Sequence, residues 1–345
     1  MISVKDVARA AVVAAMVIAA CAGAASANVF NMGDGLTSLE FVTVGNPGNA
    51  ADPETGYGAV AYTFKMGKFE VTAGQYTAFL NAVAKTDTYE LYSTNMWSDT
   101  YGCKIECSGS SGSYTYSLAS DRANRPVSYV SWGDAARFAN WLTHGQPTGA
   151  QDLTTTEDGS YYLNGAITHE ALLAITRKTP EQGGRYYIPT EDEWYKAAYH
   201  KNDGVTGNYF DYPTGSDSEP GRDLSEVTNP GNNANYGDGD PFSIDSGTYY
   251  TTVAGEFQLS DSPYGTFDQG GNIWEWDEAI LSGTYRGRRG GSFYYYSRAM
   301  QARYRDNSAT VDEYSGIGFR VSEVPEPGTL SLLALAGLMA LRRRR

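Results

Sequence analysis

Glycine and tyrosine set the strongest limits on this sequence, with 39 glycines and 27 tyrosines among 345 residues. Glycine permits tight turns and ends helices, whereas tyrosine buries a large ring and needs a partner for its hydroxyl. This combination argues against a helical bundle. It predicts a loop-rich fold with an aromatic core and short elements.

Three segments have the pattern of short amphipathic helices. In each, Thr or Ser stands at the N-cap, and three positions later follows a residue whose side chain can accept a hydrogen bond from the N-cap backbone N–H. Apolar residues then recur at helical spacing. The predicted starts are Thr72, Ser131 and Thr190, and a weaker helix is predicted over residues 169–176. Short alternating runs predict strands at residues 60–64, 185–188, 249–253, 292–296 and 318–321. We therefore predict an irregular α+β fold with short antiparallel strands and about three helices.

Residues 1–27 have the pattern of a secretory signal. Two basic residues precede an apolar run too short to span a bilayer, and residues 25–27 form an Ala-Ser-Ala cleavage site. We expect signal peptidase to cut there, so that the mature chain begins near Asn28. Lipoprotein-type processing at Cys21 is the alternative, because residues 18–21 also resemble a lipoprotein box.

Residues 323–345 have a second targeting pattern. A Pro-Glu-Pro motif at residues 325–327 precedes an apolar stretch at residues 330–341 and four terminal arginines. As a helix this stretch would be about 18 Å long, short of the roughly 30 Å of a hydrocarbon core. The segment resembles the PEP-CTERM sorting signal, which exosortases recognise and remove. The resemblance implies export to the envelope, outer surface or extracellular matrix of a Gram-negative-type bacterium, with only transient membrane contact. A plain C-terminal anchor is the alternative.

The charge balance excludes one class of partner. Forty acidic residues outnumber 26 basic ones, giving a formal net charge of −14, and the body is more acidic still because both ends are net basic. Nucleic-acid binding is not expected, since neutralising phosphates requires an excess of Lys and Arg. Divalent cations are the natural counter-ions of such a surface.

Cys103 and Cys107 are the only cysteines left after the signal is removed. They lie in a Gly/Ser-rich loop without a second Cys or His pair that could complete a zinc site. We predict a disulfide between them, as expected in an oxidising compartment. Their close spacing requires a kink in the loop.

Six blocks stand in the order typical of one enzyme family. They are GKFEVTAGQY at 67–76, RPVSYVSWGDA at 125–135, IPTEDEW at 188–194, GNIWEW at 271–276, RGGSF at 289–293 and GFRV at 318–321. Over about 67–321 the chain resembles the sulfatase-modifying-factor, or formylglycine-generating-enzyme, domain family. The resemblance implies an irregular α+β domain related to C-type lectins, and we expect one domain over residues 28–322.

The residues that carry the family's chemistry are missing. Active members use two cysteines that bind copper and oxidise a substrate cysteine with oxygen. Those cysteines lie between the Gly-Gly-Ser-aromatic turn and the Gly-Phe-Arg strand. Here that span, residues 294–317, contains neither Cys nor His. Copper is not expected, because no other side chains replace two soft thiolates for Cu(I).

The resemblance also implies calcium, which prefers carboxylate and carbonyl oxygens. For one site the matching positions are Asp268, Gly271, Ile273 and Glu275. For a second site they are Asn235, Tyr236, Asp245 and Gly247. The Asn, Asp and Gly residues around the second set are also typical of a solvated turn.

The stretch after the Gly-Gly-Ser-Phe turn is a candidate ligand face. Its members are Tyr294, Tyr295, Tyr296, Arg298 and Tyr304. Tyrosine offers a large rigid contact area with a polar tip, and the resemblance places the ligand-binding face of non-catalytic relatives here. Core packing is the alternative for about half of these rings.

Two charged groups have both a chemical and a structural interpretation. Glu191, Asp192 and Glu193 are either paired acids or the charged first turn of a helix. The arginines at 298, 303 and 305 either line an anion pocket or pair with the acids at 306, 312 and 313.

Together these features predict an exported, exosortase-sorted, non-catalytic binding or structural module with bound calcium. Its ligand would be a surface glycan, a polypeptide or the extracellular matrix. The alternative is an active oxidoreductase of the formylglycine-generating type, or a hydrolase that uses loop carboxylates.

Overall fold

The computed structural model describes residues 39–239, 244 and 249–324. The predicted signal segment and the Pro-Glu-Pro tail lie outside these residues, as do Asp245 and Gly247. Within the described part, no helix combines the length and the apolar character needed to cross a membrane.

Five α-helices and ten short strands form the described part. The helices are α1 (Ala73–Val83), α2 (Asn95–Ser98), α3 (Trp132–Thr143), α4 (His169–Leu173) and α5 (Glu191–Tyr199). The strands are β1 (Phe41–Val44), β2 (Phe64–Gly67), β3 (Ile105–Ser108), β4 (Thr115–Leu118), β5 (Tyr186–Tyr187), β6 (Trp274–Leu281), β7 (Tyr285–Arg289), β8 (Asp306–Ser308), β9 (Ile317–Gly318) and β10 (Ser322–Glu323). The α+β class is confirmed. The three predicted helices are α1, α3 and α5, and α4 is the weaker one.

Reciprocal caps start the three longer helices, as the sequence predicts. At α1 the hydroxyl of Thr72 accepts from the Gln75 N–H at 3.3 Å, and the Gln75 amide oxygen accepts from the Thr72 N–H at 2.9 Å. The same arrangement joins Ser131 to Asp134 at α3, and Thr190 to Glu193 at α5. Each cap satisfies backbone N–H groups that have no partner within the helix.

The strands form two four-stranded sheets and one hairpin. The first sheet has the order β1-β2-β10-β5 with antiparallel pairs, and the hairpin joins β3 to β4. The second has the order β8-β7-β6-β9, where β9 runs parallel to β6 with Ile317 opposite Trp274. The Gly-Phe-Arg segment between β9 and β10 therefore links the two larger sheets.

The core is aromatic, as the composition predicts. Tyr76 and Phe79 of α1 pack against Phe138 and Trp141 of α3 and against Phe319, with ring centroids 5.2 to 6.5 Å apart. Most of these contacts are edge-to-face, the geometry that aromatic quadrupoles favour. This packing holds both helices against the segment that links the sheets.

Two predicted strands are absent, and the strand predicted over 60–64 begins only at Phe64. Over 249–253, Tyr250 takes a φ of 65°, which is not a strand conformation. The Thr252 N–H donates to the side chain of Asn272 at 2.9 Å and not to a neighbouring strand. Over 292–296, the Tyr295 N–H donates to the Ser292 carbonyl at 3.0 Å, which makes a turn. A short 3₁₀ helix over residues 297–300 follows.

The predicted disulfide is not formed, and both cysteines are free thiols. The buried thiol of Cys103 donates to the Ser128 carbonyl at 3.6 Å, whereas Cys107 lies in β3 opposite Tyr116. The strand is extended, so it carries Cys107 away from Cys103 by roughly 3.3 Å per residue. Burial raises the pKa of both thiols above the ordinary cysteine value.

Carboxyl groups from three segments meet at the start of α3. Asp134 is its buried cap residue, Glu313 belongs to the loop after β8, and Asp87 and Glu90 follow α1. Burial, and next the charge of Asp134, raises the pKa of Glu313 to about 8. Burial raises the pKa of Asp134 to about 6, although its hydrogen bonds to Ser131 lower it.

We expect this cluster to make stability fall as pH rises. Between the ordinary glutamate pKa of 4.5 and about 8, the folded state keeps a proton on Glu313 that the unfolded chain has released. Glu313→Gln removes this titration, so the free energy of unfolding should fall less steeply through that window. Urea unfolding at a series of pH values measures the slope.

Glu170→Gln is the matched control, because Glu170 is an exposed carboxylate on α4. It should leave the slope unchanged. An identical slope for Glu313→Gln and the parent protein would contradict the expectation.

Candidate functional site

A buried ion pair lies at the centre of the candidate site. Glu275 of β6 and Arg320, between β9 and β10, are both fully buried. The Arg320 Nε donates to Glu275 Oε2 at 2.5 Å and its Nη2 donates to Oε1 at 2.6 Å. The indole Nε1 of Trp194 in α5 donates to Oε2 at 2.7 Å. Protein donors therefore occupy both carboxylate oxygens.

The remaining donors of Arg320 reach backbone carbonyls. Its Nη1 donates to the Gly67 carbonyl and its Nη2 to the Phe267 carbonyl, each at 2.9 Å. A buried charge is tolerated only when it is paired and its other hydrogen bonds are made. Arg320 meets both conditions, and it joins the end of β2, the loop before β6 and β6 itself.

A second buried carboxyl group supports the turn before β6. Glu70 Oε2 accepts from the Asn272 amide at 2.9 Å, and Oε1 accepts from the Ile273 N–H at 3.3 Å. Burial, and next the charges of Asp268 and Glu275, raises the pKa of Glu70 well above its ordinary value, which favours the neutral acid. Glu70 therefore acts as a structural group.

Gly271 makes this turn possible. Its φ is 80°, and a Cβ at this position would lie 2.2 Å from the Asn235 carbonyl oxygen. The next residue, Asn272, donates its N–H to that carbonyl at 2.7 Å. No residue with a side chain fits so close an approach.

The first predicted calcium ligands lie close together, but protein donors already bind the two carboxylates, Asp268 and Glu275. One Asp268 oxygen accepts from the Gly255 N–H at 2.6 Å, and Arg320 takes both oxygens of Glu275. Among the described residues, no group of three or more acidic, His or Cys side chains is placed to hold a metal ion. Binding of calcium here would require Glu275 to leave Arg320, and calcium at this site stays a prediction.

Two members of the second predicted calcium site have structural roles. The Asn235 amide donates to the Tyr250 carbonyl, and the Tyr236 hydroxyl donates to the Pro220 carbonyl, each at 2.8 Å. Asp245 and Gly247 lie outside the described residues. This second site also stays a prediction.

Three adjacent tyrosines stand at the surface. Tyr294, Tyr295 and Tyr296 are 52%, 37% and 57% exposed, and we call them the tyrosine face. The Tyr295 carbonyl accepts from the Gly237 N–H at 2.7 Å, which holds the backbone of the face. Arg298 is exposed nearby in sequence.

Trp274 forms the floor beneath the tyrosine face. Its buried ring meets Tyr295 edge-on at 5.2 Å between centroids, and Tyr304 packs against it at 6.0 Å. Tyr304 is thus partly buried and belongs to this floor more than to the exposed face. The indole N–H of Trp274 is buried and has no hydrogen-bond partner among the described residues, which is rare in folded proteins.

The three consecutive acids at the start of α5 have separate structural partners. Glu191 binds Arg289 at 2.8 Å and Arg305 at 2.6 Å. Asp192 accepts from the Gly58 N–H at 2.8 Å, and Glu193 accepts from Arg177 at 3.0 Å. They do not form a catalytic pair.

The expected pairing of Arg305 with one of the acids that follow it is wrong. Arg305 binds Glu191, whereas Asp306 is bound by Arg288 at 2.9 Å. The fold brings Arg305 next to the start of α5, which is distant in sequence, so the neighbouring acids did not predict its partner. Arg288 also lies 5.1 Å from the Trp274 ring centroid and thereby borders the floor.

The protein is an irregular α+β scaffold built around the buried Glu275–Arg320 pair. Residues 294–317, which begin with the tyrosine face, contain no cysteine. The profile of the sulfatase-modifying factor enzyme 1-like domain matches residues 19–324, and the chain belongs to this family. A PEP-CTERM protein-sorting motif matches residues 323–345. The chain is therefore an exosortase-sorted surface protein.

Solved structures support the same fold. CarF covers 84% of this chain and 99% of its own, with 21% identity and a TM-score of 0.51. Treponema denticola variable protein 1 covers 84% and 97%, with 18% identity and a TM-score of 0.50. At these identities the likeness concerns the fold alone. No curated protein matches the chain significantly.

We expect Arg320→Met to lower the free energy of unfolding by about 3–5 kcal/mol, because it leaves the charge of Glu275 buried and unpaired. Adding Glu275→Leu should restore part of this loss. Urea unfolding measures both.

Lys201→Met is the control, since it removes a partly exposed pair with Asp217 and should cost less than about 1 kcal/mol. A similar small loss for Arg320→Met would show that the buried pair is not central.

Proposed function

We propose that this protein is a non-catalytic binding module of the cell surface, with the tyrosine face as its ligand-binding surface. Three consecutive exposed tyrosines, of which Tyr295 packs on the buried Trp274, carry the proposal. Scattered exposed aromatics are ordinary, but a contiguous group fixed by its backbone is typical of recognition surfaces. The ligand is a surface glycan, a polypeptide or a matrix polymer.

The chemistry of the face suits such a ligand. Each ring gives a rigid contact with few rotatable bonds and a hydroxyl that donates or accepts, so binding costs little side-chain entropy. Arg298, two residues after the last of the three tyrosines, adds an exposed positive charge.

The placement of reactive groups supports binding over catalysis. The span 294–317 contains no Cys or His. Cys103 is buried with a raised pKa, and Cys107 lies on a strand against Tyr116, so the two thiols do not form a copper pair. The acids of α5 are held in ion pairs and caps.

Replacing both Tyr294 and Tyr296 with alanine should leave the melting temperature unchanged, because both rings are more than half exposed. The fraction of released protein that binds back to washed host cells should fall about tenfold, the effect of losing roughly 1.4 kcal/mol of contact energy.

Tyr162→Ala is the matched control, since Tyr162 is 51% exposed outside the tyrosine face. Unchanged binding by the double variant would count against the proposal.

Calcium can bind Glu275 only if Glu275 leaves Arg320. The guanidinium of Arg320 would then stay buried without its carboxylate partner, which is costly. We therefore expect added calcium to leave the melting temperature unchanged. A thermal unfolding series with calcium and with a chelator measures this. A saturable rise that Asp268→Asn abolishes would instead establish the first predicted site.

A further inference from the structure

The last strand of the domain is an interior strand of the first sheet. Ser322 of β10 lies opposite Met66 of β2 on one side and Tyr187 of β5 on the other. Ser322 is fully buried and Glu323 is 4% exposed. The Val324 N–H donates to the Arg185 carbonyl at 3.1 Å, so the chain stays bonded to the sheet up to that residue.

Ion pairs hold the end of this strand on both sides. Glu323 Oε2 accepts from Lys65 of β2 at 2.9 Å, and Oε1 accepts from Arg185 at 2.8 Å. The Ser322 hydroxyl donates to Glu193 at 3.3 Å. Side chains of β2, of the residue before β5 and of α5 thus add to the backbone ladder.

The sorting motif overlaps this strand. It matches residues 323–345, so its first residue is a buried sheet residue, and Pro325 directly follows the bonded Val324. A processing enzyme must hold the chain on both sides of the bond it breaks. Backbone that is paired on two sides in a sheet is not available for that binding, and cleavage concentrates where backbone is free.

We propose that β10 must open before the exosortase can remove the tail, so that the local stability of this sheet sets the processing rate. Removal breaks one peptide bond on the C-terminal side of Val324. Water or an amine acceptor takes the acyl group, and the tail leaves with a new amino terminus. When opening and reclosing are fast, the rate of cleavage follows the population of the open strand.

This mechanism orders two events in the life of the protein. A chain that has not yet folded is processed without delay, whereas a folded chain is processed only through rare opening of β10. The inference is independent of the tyrosine face, because it concerns the removal of the C-terminal tail and not the binding of a ligand.

The test follows tail removal from the full-length protein by pulse-chase in a bacterial host that carries an exosortase. One variant carries a Gly-Ser-Gly-Ser-Gly-Ser insertion between Val324 and Pro325, which moves the motif away from the sheet. We expect it to be processed about tenfold faster than the parent. The same insertion after Gly328 is the control and should give no acceleration, because the motif then stays next to β10.

A second variant leaves the sequence of the sorting segment untouched. Lys65→Gln with Arg185→Gln removes both partners of Glu323 and should speed processing about threefold, since these pairs are partly exposed. Lys201→Gln removes a comparable pair elsewhere and should have no effect. Processing of the Val324–Pro325 insertion variant at the parent rate, or more slowly, would overturn the proposal.

Discussion

The ion pair of Arg320 and Glu275 is the interaction on which the architecture depends. Long loops and small sheets leave few long elements to define the fold, so a fixed internal point has to replace them. Arg320 binds Glu275, Gly67 and Phe267 at once and thus joins both larger sheets to the loop before β6. Its full burial makes every one of these bonds necessary, because an unmet charge in the core is costly.

The surface beside this centre does not take part in its hydrogen bonds. Gly271, Asn272 and Glu70 shape the turn before β6 with groups already satisfied inside the protein. The stretch that follows the Gly-Gly-Ser-Phe turn contributes the exposed Tyr294, Tyr295 and Tyr296, and Tyr295 packs on the buried Trp274. A rigid scaffold can therefore keep its internal polar network while its outer residues serve contact in place of redox chemistry.

Local signals account for what the sequence predicted well. The caps at Thr72, Ser131 and Thr190 depend on residues three positions apart, so a short window contains the whole interaction. Strands β6 and β7 escaped prediction because their charged residues are buried by distant partners: Arg289 binds Glu191, almost a hundred residues upstream.

The wrong prediction of a disulfide has a similar cause, since the extended path of β3 follows from its pairing with β4. In the candidate site, the exposure of the three tyrosines agrees with the sequence prediction. The inward position of Tyr304 depends on its packing against Trp274, which is distant in sequence, so a local pattern could not predict it.

The central claim is that the protein retains the family scaffold without the family's redox chemistry. The most direct test incubates the protein with copper, oxygen and a peptide bearing a sulfatase-type cysteine motif. Mass spectrometry should find that cysteine unchanged. Its conversion to formylglycine would contradict the account and would mean that Cys103 or Cys107 reaches the site.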